Sequence, residues 1–221
     1  MGFFSENEKS LEALSTKKYV IPTPIEHNII DSCTVIKGDI GSCSNIIIKG
    51  KVIGNIETNG IVIIGKNALV RGNINAQSIR IEGKVEGDII SNLLEIRQNA
   101  YIDAQKIESK NFYCSGIVNG NIEVEDECNL DENAIIKSRF LKAKNITSDG
   151  VLEVLQIEVE SLYLKSHSKT RASIKSKALA CEVGAKLEGE VVSTNRMQQE
   201  NFIAKKREMK RIYSENGHVS I

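Results

Sequence analysis

The chain has no tryptophan, and aromatic residues of all kinds make up only 5% of its 221 positions. A core built on large rings is excluded, so Ile, Val and Leu must fill it. There are two prolines, Pro22 and Pro24, both close to the N-terminus. Tyr19–Pro24, which holds both, reads as an extended linker that offers little cover to the first coil after it. Net charge is also missing: 29 basic side chains stand against 29 acidic ones. That balance removes the broad electrostatic attraction on which nucleic-acid binders rely, and no nucleic-acid partner is expected. The five cysteines (Cys33, Cys43, Cys114, Cys128, Cys181) are scattered, odd in number and without a CxxC pair. They do not form metal-ligand spacings, and they suit a reducing cytosol of the bacterial type. No secretory signal and no apolar run of membrane-spanning length is present.

What the chain does have is repetition. Gly50-Lys-Val-Ile-Gly-Asn-Ile56 returns as Gly83-Lys-Val-Glu-Gly-Asp-Ile89 and as Gly116-Ile-Val-Asn-Gly-Asn-Ile122, with the same step from each start to the next. A second phrase falls between the copies: Asn67-Ala-Leu-Val-Arg-Gly72, Asn99-Ala-Tyr-Ile-Asp-Ala104 and Asn133-Ala-Ile-Ile-Lys-Ser138. The unit of about 33 residues therefore holds two half-units, and such periodicity decides the architecture before anything else. A half-unit is too short for a helical hairpin, which needs the whole repeat. Its residues alternate as strands do: in Ser78-Ile-Arg-Ile-Glu-Gly83, Ile79 and Ile81 face one way and Arg80 and Glu82 the other. Glycines mark corners. Three short strands per half-unit make one coil of an all-β, parallel β-solenoid of about nine to ten coils. Asparagines at the recurring corners are expected to form side-chain ladders along the stack.

The boundaries predicted from the sequence are a leader over 1–31, mostly unstructured, a β-helix domain over 32–194, and a basic tail over 195–221. The coils start near Cys33, are most regular to Ile122 and loosen beyond it. The step from Ala134 to Ala172 is longer than two half-units, which predicts an extra bulge or loop at Ser166–Thr170. In the tail, Arg196, Lys205, Lys206, Arg207, Lys210 and Arg211 are interspersed with Phe202, Met209 and Ile212, and a short C-terminal helix is expected from Arg196 to Tyr213. That helix would be solvated, would cap the rod, or would contact acidic lipid or a partner.

Candidate chemistry is sparse. Gly60-Ile-Val-Ile-Ile-Gly-Lys66 matches seven positions of a phosphate-binding loop, but Asn67 stands where a Mg²⁺-binding hydroxyl is required. Hexapeptide acyltransferases are also solenoids, but they need near-strict multiples of six and a histidine base. Here the steps between Val52, Ala68, Val85, Ala100, Val118 and Ala134 run from 15 to 18, and only His27, His167 and His218 exist. His167 reads as an exposed loop residue, and Cys114 and Cys181 read as core fillers. No catalytic, cofactor-binding or metal-binding residue is assigned.

The phrases Thr34–Ile40, Gly50–Ile56, Ile64–Ala68, Val70–Ile74 and Ile81–Ile89 resemble those of bactofilins, bacterial polymer-forming cytoskeletal proteins. The resemblance covers about residues 33–122 and continues weakly to about 138. It implies a right-handed parallel β-helix and self-assembly into filaments without nucleotide or other cofactor. It also implies a peripheral position on the inner face of the cell membrane and scaffolding of cell-shape or cell-wall enzymes, or of their membrane anchors. Phe3 and Phe4 match the position and type of the family's membrane-contact residues. The chain departs from the family in length, because loosely repetitive sequence runs on to about Ser193 before the basic tail. A capped solenoid adaptor that binds a protein partner is the alternative reading. An acyltransferase-like enzyme is a more distant one.

Overall fold

The structure, a computed structural model, describes residues 27–193. Among them are seventeen strands and no helix, from His27–Ile30 to Val191–Ser193. All the pairings are parallel, and each strand stacks on the one about a coil further along. The result is a parallel β-solenoid of about ten turns. At about 4.8 Å per stacked strand it is a rod about 45 Å long.

Three faces recur in each coil. Lys51–Ile53 belongs to the first face, while the nine residues Ile56–Ile64 turn a corner and supply the second and third. Inward residues form columns along the rod. Ile36, Val52, Val70, Val85, Ile102, Val118, Ile136, Leu152, Thr170 and Leu187 make the column of the first face. Ile56, Ile74, Ile89, Ile107, Ile122, Leu141, Ile157 and Ile174 do the same on the second, all buried. β-Branched side chains suit these positions, since stacked strands hold one χ1 rotamer against the next coil.

The period of two coils has a structural cause. Corners between the third and first faces alternate between two designs as far as Ser168, after which the last described corner, 182–185, repeats the four-residue one. In one, four residues close a turn, with the Ala68 N–H donating to the Gly65 carbonyl, Ala100 to Arg97 and Ala134 to Asp131. In the other, two residues suffice and the second is Gly50, Gly83, Gly116 or Gly150. A Cβ on Gly83 would overlap the carbonyl oxygens of Gly65 and Ala68, so glycine is required at this close approach. A second corner, between the first and second faces, uses glycine with positive φ at Gly38, Gly54, Gly72 and Gly87. Gly120 and Gly189 keep this geometry in later coils, whereas Ala104, Ser138, Val154 and Ala172 fill the corner in the others, where the chain rounds it within strands of 13 or 14 residues such as Ile135–Ser148.

The expected ladder is present, with side chains bonding to backbone. Asp39 accepts from the Asn55 N–H at 2.7 Å, Asn55 from Asn73 at 2.9 Å, Asn73 from Asp88 at 2.9 Å, and Asp88 from Gln105 at 2.9 Å. Each side-chain oxygen satisfies a donor that the corner removes from the strand ladder.

Several expectations are corrected. The first strand, His27–Ile30, lies inside the stretch assigned to the leader, because Ile29 and Ile30 pair with Ile47 and Ile48. Residues 166–170 carry no insertion. They form the ordinary four-residue corner, with Ser168 in the place of Ala134 and its N–H donating to the Lys165 carbonyl. Val52 and Ala68 are not equivalent: valines and alanines occupy neighbouring columns, and steps within the valine column still run from 15 to 18. Cys181 occupies the column of Leu164 but is exposed, since no described residue stacks beyond it. The expected C-terminal helix and the rest of the leader lie outside the described residues.

Candidate assembly surfaces

The flank of the rod offers no assembled catalytic centre among the described residues. Gly60–Lys66 is third-face strand and corner, with Val62 and Ile64 fully buried. His167 is 69% exposed, with Nδ1 3.2 Å from an Asp149 carboxylate oxygen and 3.4 Å from the Ser166 hydroxyl. Ser, His and Asp thus meet, but both oxygens approach the same ring nitrogen. A relay needs the hydroxyl on one nitrogen and the carboxylate on the other. No group of three or more metal-ligating side chains occurs among the described residues. Burial pushes the Cys114 thiol up to about 12 and raises that of Cys128, so both stay protonated core fillers. Cys33, Cys43 and Cys181 are exposed near the two ends. Phe3 and Phe4 lie outside the described residues.

Charges on the outer faces link coil to coil. Arg71 meets Glu86 at 2.7 Å, Arg80 meets Glu95 at 2.7 Å, and Lys177 meets Glu160 at 2.6 Å. Hydrogen bonds to Glu108 and then Glu123 raise Lys106 to about 12. These pairs are solvent-exposed and each contributes little. Their effect is to tie neighbouring coils together along the outer faces.

The ends differ. Among the described residues, His27–Ile30, Val35–Lys37 and Ile40–Ser42 have ladder neighbours on one side only. Lys186–Glu188 is in the same position at the far end. Interior columns break the surface there. Ile36 and Ile40 are only half-buried, and Val191, which stacks on Ile174, is 41% exposed. Val35 is 57% exposed and Val183, in the last corner, 99%. A parallel sheet edge with an apolar interior is a template for another strand.

A family model described as bactofilin, polymer-forming cytoskeletal, matches the chain twice, over residues 28–111 and 105–192. The chain belongs to the bactofilin family. No curated protein and no solved structure matches it. The second match changes the reading of the bactofilin's length. The stretch beyond Ile122 is a second copy of the module, stacked on the first without a break, because Tyr101–Cys114 pairs along its length with Ile117–Leu130 across the junction, with register shifts only after Asp103 and Ser109. Sequence reasoning missed it because the second copy replaces corner glycines with Ser138, Val154 and Ala172, which removes the phrase that marks the first.

Proposed function

We propose that this bactofilin is a non-enzymatic cytoskeletal scaffold whose rods join end to end through their terminal coils. The observation that carries this reading is the pair of one-sided ladders at the ends, where interior columns reach the surface at Ile36, Ile40 and Val191. Joining two ends satisfies strand N–H and C=O groups and covers apolar side chains in the same step. Every group in that joint belongs to the chain, so assembly needs neither nucleotide nor metal. The polymer lies against the inner face of the cell membrane through Phe3 and Phe4, and it positions cell-shape or cell-wall enzymes or their anchors.

Electron microscopy of the purified protein in buffer free of nucleotide tests the assembly. Filaments are expected. A particle that stays monomeric at high concentration, with or without residues 195–221, would overturn the scaffold reading in favour of a capped adaptor.

A further inference from the structure

The first face carries an apolar ribbon on its outer side. Tyr101, Ile117, Ile135 and Val151 are in register in four successive coils, each the first residue of its strand. The other outer positions of this face in the same coils are polar (Asp103, Asn119, Lys137 and Glu153), and lysines end the ribbon at both limits. Lys84 precedes Tyr101, with its ammonium 5.3 Å from the ring centre, and Lys169 follows Val151. Ile117 is 37% exposed. Acidic groups border the ribbon: Asp131, Glu132 and Asp149 on the corner side, and Asp103 and Glu153 two residues along its own strands. Basic groups stand near it too: Arg97 and Lys165 in the corners, with Arg97 2.7 Å from Glu95, and Lys137 on the face itself, 3.3 Å from Glu153. The surface therefore asks for an occupant that is apolar along one line and basic beside it.

The chain contains such a segment. Residues 196–213 hold Arg196, Lys205, Lys206, Arg207, Lys210 and Arg211 against Glu200 and Glu208. In helical spacing Phe202, Met209, Ile212 and Tyr213 fall on one side. Length also fits. Eighteen helical residues span about 27 Å. From the last coil back to that of Tyr101 there are five stacking steps, or about 24 Å. The end of the rod is a poorer seat, since each face is only three or four residues wide, about 13 Å, and half of such a helix would overhang.

We propose that residues 196–213 dock as an amphipathic helix along the chain's own first face, on the Tyr101–Ile117–Ile135–Val151 ribbon. The tail then covers the flank and leaves the C-terminal coil open. Because the border contacts are ionic and exposed, high salt loosens the tail.

Zero-length carbodiimide cross-linking of the full chain tests this, using an equal mixture of isotope-labelled and unlabelled protein to separate contacts within a chain from those between chains. The expected products join Lys205, Lys206 or Lys210 to Glu132, Asp149 or Glu153 within one chain. Ile117→Lys should cut their yield several-fold while leaving the melting temperature unchanged. Glu132→Lys with Asp149→Lys, which leaves the ribbon intact, should also cut it. Cross-links to Glu188 or Glu190 would mean that the tail caps the end. Cross-links only between chains would make a second copy the occupant. A tail that forms no cross-links and exchanges its amide hydrogens freely would show that the ribbon is not its seat. Each of those three results overturns the proposal, whatever the state of assembly.

Discussion

Gly72 stands on the carbonyl of Gly54: a Cβ built on Gly72 would overlap that oxygen, and its φ of 141° lies where side-chain-bearing residues are strained. The same relation holds between Gly54 and Gly38, so the corner is repeated by stacking one glycine on the next. Gly72→Ala should therefore cost at least about 2 kcal/mol, from backbone strain together with the overlap. Gly41→Ala is the control: its φ is ordinary and nothing lies within 4 Å of an added Cβ. It should stay within about 0.5 kcal/mol of wild type. Urea melts of the two variants check the contrast, and equal losses would remove the steric account of the corner.

Alternation within a strand gives a second test. Ile81, Val85 and Ile89 are fully buried, whereas Arg80 points outward to Glu95. Aspartate at any of the three inward positions should unfold the rod, because an unpaired buried carboxylate costs several kcal/mol. Arg80→Ala removes one exposed ion pair and should change stability by about 0.5 kcal/mol or less. Thermal unfolding followed by circular dichroism separates the two classes.

These two cases explain what could be read in the sequence. Between Gly50 and Ile122, inward positions are mostly Ile, Val or Leu, the buried Thr58, Ser91 and Ser109 apart, and most corners carry Gly or Asn, so local pattern and tertiary role largely agree. From Ser138 onward they part. Ser148, Ser168, Thr170 and Ser176 are buried in interior columns although they are polar. A pattern search sees Ser166–Thr170 as loop, whereas stacking on Gly150 and Leu152 holds it inside the coil. Cys181 fails in the opposite direction: its alternation is that of a core residue, but burial depends on a following coil, which local sequence does not report. For the candidate site, the N-terminal edge was legible because the extended linker with Pro22 and Pro24 offers the first coil little cover. The outer ribbon was not, since Tyr101, Ile117, Ile135 and Val151 each lie a full coil apart in the chain and meet only once the register is known.

Thr170 offers a stabilising change. Its hydroxyl is buried without a hydrogen-bond partner between Leu152 and Leu187 in the first-face column. Desolvating an unsatisfied hydroxyl costs about 1–3 kcal/mol, and valine has nearly the same shape without it. Thr170→Val should raise stability by about 1 kcal/mol, read as a higher melting temperature with an unchanged slope against urea. A loss of stability would mean that the hydroxyl finds a partner, such as a trapped water.

Membrane contact is tested at the N-terminus. Two phenylalanines supply only a few kcal/mol of partition free energy, so a single chain would bind a bilayer marginally. A polymer presenting many copies binds far more strongly through avidity. Phe3→Ser with Phe4→Ser should release the protein from sedimented vesicles of mixed neutral and acidic lipid, with filaments still visible by electron microscopy. Undiminished vesicle binding would move the contact elsewhere on the chain.

The ends give the last test. Charged side chains on an edge strand, lysine above all, are how open sheets resist pairing with another copy. Ile29 and Val35 sit in the first coil, 56% and 57% exposed, and both point outward, so lysine can replace them without entering the core. Ile29→Lys with Val35→Lys should abolish filaments while the monomer melts as before. Light scattering, at a concentration where the unaltered protein polymerises, should then report particles of no more than two chains. Two chains would mean that the remaining C-terminal ends pair with each other, and one chain would mean that each joint needs one end of each kind. Filaments of normal length from this variant would show that the N-terminal coil takes no part in assembly.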